Sequence, residues 1–83
     1  MLRKEDMVAG PYNPNRTPSF GELIIRELNK QAEVGMISPV VRSYAVDLTK
    51  RLEKQLTHIY GGSRHGLQQA LAVVLRLTRN HLP

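Results

Sequence analysis

Apolar residues recur along this chain at intervals of three and four, in three separate stretches. The first holds Phe20, Leu23, Ile24, Leu28 and Ala32. The second holds Val41, Ala45, Leu48, Leu52, Leu56 and Ile59, with Tyr44 beside them. The third holds Leu67, Leu71, Val74 and Leu77, with Ala70 alongside. A period near 3.6 places each set on one face of an α-helix. The pattern predicts helices near 19–34, 39–60 and 65–80.

The predicted ends have local causes. Ser19 and Glu22 stand in capping-box spacing, in which each side chain satisfies a free N–H of the other residue. Ser38-Pro39 reads as an N-cap followed by proline at the first helical position, where its missing N–H costs nothing. Gly35 is placed to end the first helix, and Gly61-Gly62 the second. Ser63 or His65 opens the third. Ahead of all this, Pro11, Pro14 and Pro18 interrupt a stretch whose only sizeable aliphatics are Leu2, Met7 and Val8. Residues 1–18 therefore read as an extended N-terminal arm. Residues 19–83 read as the folded domain.

The third helix is more apolar than one stripe requires. Ala70 to Leu75 is unbroken apolar sequence, leaving Ala72, Val73 and Leu75 as a second surface beside the first. A helix apolar on more than one side is covered on more than one side. The fold class expected is all-α: a compact three-helix bundle, joined by short turns that make consecutive helices antiparallel neighbours. Ile25 falls off the first helix's face. Together with Ala72, Val73 and Leu75 it is expected to form the interface of a homodimer, the commonest closed assembly.

Composition narrows the function classes. The chain has 83 residues and no cysteine, so disulfides and thiolate metal sites are excluded and a reducing, cytoplasmic setting is expected. The longest apolar run is far short of the ~20 residues that span a bilayer, and no membrane partner is expected. Arg3 and Lys4 are followed by Glu5 and Asp6 rather than an apolar core, so no secretory leader is expected.

Charge is unevenly placed. The net charge is +5, and no acidic residue follows Glu53. All three histidines lie in that acid-free segment. Such asymmetry points to a polyanionic partner. Part of it has a plainer cause, since Arg76, Arg79 and His81 complement the C-terminal end of a helix. Arg42, Lys50, Arg51, Lys54, Arg64, Arg76 and Arg79 are the candidate phosphate contacts.

Three further patterns bear on chemistry. The segment from Leu28 to Leu52 has the outline of a helix-turn-helix, but its turn spacing is one residue off and its second helix is long, so it reads better as a plain αα-hairpin. Gly61-Gly62-Ser63-Arg64-His65-Gly66 precedes a helix N-terminus, yet lacks the Lys-Ser/Thr pair of a P-loop and reads as a glycine turn. His58, His65 and His81 are not spaced for metal binding on one helix face. No nucleophile elbow is visible and no cofactor is expected. The function expected is therefore non-enzymatic: a small basic helical protein that binds nucleic acid, in the manner of a regulator. The alternative is a protein-interaction module, an adaptor or inhibitor docking through the third helix or the arm. The few aromatic residues give little support to single-strand stacking.

Overall fold

The computed structural model describes residues 17–82. Within them the chain is helical, with no strand: α1 (Phe20–Glu33), α2 (Pro39–Arg51), α3 (Glu53–Tyr60) and α4 (Gly66–His81). The expected arm lies, apart from Thr17 and Pro18, outside the described residues.

The helix starts follow from their caps. Ser19 Oγ accepts the Glu22 N–H at 3.2 Å, and Glu22 Oε1 accepts the Ser19 N–H at 2.8 Å. Ser38 Oγ accepts the Val41 N–H at 3.2 Å, with Pro39 opening α2. At its other end α1 closes in a Schellman motif. The Met36 N–H reaches the Gln31 carbonyl at 2.8 Å, and the Gly35 N–H reaches the Ala32 carbonyl at 3.1 Å. That geometry needs a left-handed residue between them, and Gly35 supplies it with φ of 82°.

The helix expected over 39–60 is bent into two. Leu52 has φ −102° and ψ 11°, off the helical values, although the Leu52 N–H still bonds Leu48 and the Leu56 N–H still bonds Leu52. No proline or glycine causes the bend. Thr49, fully buried one turn before it, turns its hydroxyl back to the Ala45 carbonyl at 2.8 Å, a bond that can bend a helix, although the same bond from Thr78 leaves α4 unbroken. The bend also resets which side faces inward. Below it, Leu56 is buried and Tyr60 packs on the core, whereas Ile59 is 64% exposed rather than part of the inner face.

Every pair of these helices is in contact. The core gathers Ile24 and Leu28 of α1, Ile37 of the first turn, Ala45 of α2, Leu56 of α3, and Ala70, Leu71, Val74 and Leu75 of α4. The last helix contributes more of it than any other. Its inner face corrects the sequence expectation in one respect. Leu75, assigned to a dimer interface, lies in the chain's own core, while Leu77 is 41% exposed. The stripe Leu67–Leu71–Val74 continues to Thr78 instead. Thr78 can be fully buried because its hydroxyl is satisfied by the Val74 carbonyl at 2.8 Å. Of the other expected interface residues, Ala72 is exposed and Ile25 and Val73 are half-buried.

Candidate functional site

A groove of about 880 Å³ opens where the bend in α2–α3 passes the start of α1. Ser19 and Phe20 line it from α1; Lys50, Arg51, Glu53, Lys54, Gln55, Thr57 and His58 line it from the other side. Three of the seven basic residues singled out in the sequence thus meet here.

Their environment leaves their charge available. Lys50, Arg51 and Lys54 are exposed. Arg51 pairs with Asp47 at 3.0 Å, with side chains 72% and 61% exposed. A pair so open to water contributes at most about 1 kcal/mol and competes weakly with another anion. The acidic residue in the lining, Glu53, lies against α1. Its carboxyl carbon and Oε2 both lie 2.6 Å from where a β-carbon on Gly21 would stand. The absent side chain at Gly21 lets the carboxylate sit against the first turn of α1, whose partial positive charge it complements. The N-terminus of α1 is accordingly occupied by its own capping box and by Glu53. What the groove presents outward is the cationic row.

The remaining basic candidates are dispersed. Arg42 is half-buried and donates from Nη1 to Asn29 Oδ1 of α1 at 3.1 Å, so it ties α2 to α1. Arg79 lines a second groove, of about 480 Å³, with Val40, Val41 and Leu82. Arg64 in the α3–α4 turn and Arg76 on α4 are exposed and line neither groove. The C-terminal charge bias therefore does not collect in the groove that Lys50, Arg51 and Lys54 share.

Sequence reasoning missed Phe20 and His58 as parts of this groove. Phe20 belongs to the apolar face of the first helix by its spacing, and it packs on the core while also lining the groove. His58 had a visible signal, since Lys50, Lys54 and His58 recur at intervals of four. Lys50 and Lys54, like charges at that spacing, oppose helix formation by a few tenths of a kcal/mol, a cost that an anion in the groove would relieve.

Other chemistry finds little footing among the described residues. No group of three His, Asp or Glu side chains could hold a metal ion. No helix is long and apolar enough to cross a membrane. The His81 ring packs at a tilt of 33° against Tyr44, ring centroids 5.1 Å apart, rather than joining another histidine. Comparison with protein-family models, with curated proteins and with solved structures found no match.

Proposed function

We propose that this protein is a non-enzymatic nucleic-acid-binding module, in the manner of a small regulator, with its phosphate contacts at Lys50, Arg51 and Lys54. The observation that carries the reading is the convergence of these three cations on one open groove, with its acidic neighbour Glu53 turned against α1. Such an arrangement tolerates mutual repulsion in the free protein and is relieved by a polyanion. The test is the salt dependence of binding. Each phosphate contact on duplex DNA contributes roughly −0.9 to the slope of log affinity against log salt, so three contacts give about −2.7. Replacing Lys50 and Lys54 with glutamine should bring that slope to about −0.9 and weaken binding at low salt. Absence of binding at low salt would refute the reading.

A second reading has its own support. Val34, Met36 and Val40, close in sequence around the α1–α2 turn, are 66%, 70% and 66% exposed. Exposed apolar residues here would suit a protein-docking module, at this turn rather than through the third helix or the arm expected from the sequence. Docking there would be insensitive to salt, which separates the two. The dimer also belongs to this proposal, with Ile25, Ala72 and Val73 as its face now that Leu75 is in the core.

A further inference from the structure

We infer that the groove beside the start of α1 takes a single strand, with a base against the Phe20 ring and adjoining phosphates at Lys50 and Lys54; this rests on the nucleic-acid reading above. Two features favour a single strand over a duplex. The first is shape. Duplex readers project a helix or ribbon into a major groove about 12 Å wide, so their contact residues stand on a protruding element. Here the cations line one side of an open groove of about 880 Å³, with Phe20 on the other. A nucleotide splayed from a strand can enter such a space, whereas a paired base is held inside its own helix.

The second feature is the lining. Single-strand sites combine cations that follow the backbone with aromatic faces on which bases stack. Phe20 supplies the ring, next to Lys50, Arg51 and Lys54. It is the first residue of α1, follows the Ser19–Glu22 capping box, and packs on the core. A platform so fixed loses little freedom when a base covers it. Gln55, Thr57 and Ser19 add hydrogen-bonding groups to the same lining, and His58 adds a second ring. One aromatic platform with a few cations is a small site, fitting a few nucleotides with little sequence preference.

The experiment measures fluorescence anisotropy of the full chain with a labelled 12-nucleotide DNA of mixed sequence, single-stranded or annealed to its complement. The single strand should bind at least about tenfold more tightly than the duplex at low salt. Phe20→Leu should weaken single-strand binding by about tenfold with the salt slope unchanged, because stacking releases no counterions. Phe20→Tyr, which keeps the ring, should bind like the wild type. Lys50→Gln with Lys54→Gln should instead flatten the single-strand slope by about 1.4. Circular dichroism establishes that each variant is folded; should Phe20→Leu fail to fold, the wild-type comparison of single strand with duplex decides. Equal or tighter duplex binding, or a folded Phe20→Leu that binds normally, overturns the single-strand inference and leaves the basic-groove reading standing. Loss of both oligonucleotides at low salt overturns both. Lysine-dependent capture of an acidic phosphopeptide in their place would make the groove a protein site and overturn the inference as well.

Discussion

Replacing Gly66 with alanine should destabilise the protein, against the usual direction of such a change. Alanine at an unstrained helical position ordinarily stabilises by about 0.4–1 kcal/mol, because it restricts the unfolded chain. Gly66 has no positive φ, so conformation alone would permit the exchange. Space does not. A β-carbon there would stand 2.8 Å from the Tyr60 carbonyl carbon, closer still to its oxygen, and 3.3 Å from the Ser63 β-carbon. Ordinary contact begins at about 3.5 Å, so the start of α4 must retreat from the end of α3 by at least about 0.7 Å. The obstructing atoms are backbone, held by the Ser63 N–H bond to that same Tyr60 carbonyl at 3.1 Å. Overpacking of this kind costs about 1–3 kcal/mol. In a domain of this size each kcal/mol shifts the melting temperature by about 4–8 °C, so a fall of roughly 10 °C is expected. The assay is thermal unfolding followed by circular dichroism, with Gly62→Ala as the control. No atom lies within 4 Å of the β-carbon at that position, and its melting temperature should stay within a few degrees. A Gly66→Ala protein that melts at or above the wild-type temperature would refute the steric argument.

Gly35→Ala should also destabilise, by about 1–2 kcal/mol, for the opposite reason: space is open there but φ is 82°, and thermal unfolding of the two glycine variants side by side checks it. Ser19→Ala removes the acceptor of the Glu22 N–H and should cost about 1 kcal/mol in urea denaturation, with the slope of the transition unchanged. In sedimentation, the wild-type protein should run at twice its 9.4 kDa chain mass and a folded Val73→Glu at that mass alone; a wild type sedimenting as a monomer at micromolar concentration would remove the dimer. Leu75→Glu, by contrast, should lose its helical signal, since Leu75 is in the core.

What the sequence made legible was whatever local physics decides. The caps at Ser19 and Ser38 and the glycine stop at Gly35 each depend on residues within a few positions of one another, and each stands where its residues predict. The bend at Leu52 was not legible, because the apolar period runs through it without a proline or glycine. It goes with a buried threonine, and hydropathy alone does not anticipate a polar residue in the interior. The same blind spot misplaced the inner edge of α4, where Thr78 is buried and Leu77 is not. A threonine hydroxyl that bonds its own helix buries like a small aliphatic group, and pattern reading counts it as polar. For the groove, the basic residues were visible as a set. Which of them converge was not, because that depends on how the bend aims α3 past α1, and on Glu53 finding room over a glycine more than thirty positions earlier.

The bend divides one helical stretch into segments of unequal protection. α3 is eight residues long, starts without a side-chain cap bond, and has Leu56 as its buried residue. Helices this short hold few bonds beyond their own frayed ends. In amide hydrogen exchange, α3 is therefore the helix expected to open first, below the cost of global unfolding, with α4 and the inner turns of α1 expected to stay closed. Lys54 and His58 travel with it, whereas Phe20 and Lys50 stay on longer helices. One wall of the groove is thus expected to open more readily than the other. A ligand bridging both walls would slow exchange in α3 well before it altered the melting of the bundle, so occupancy is best read from local amide protection.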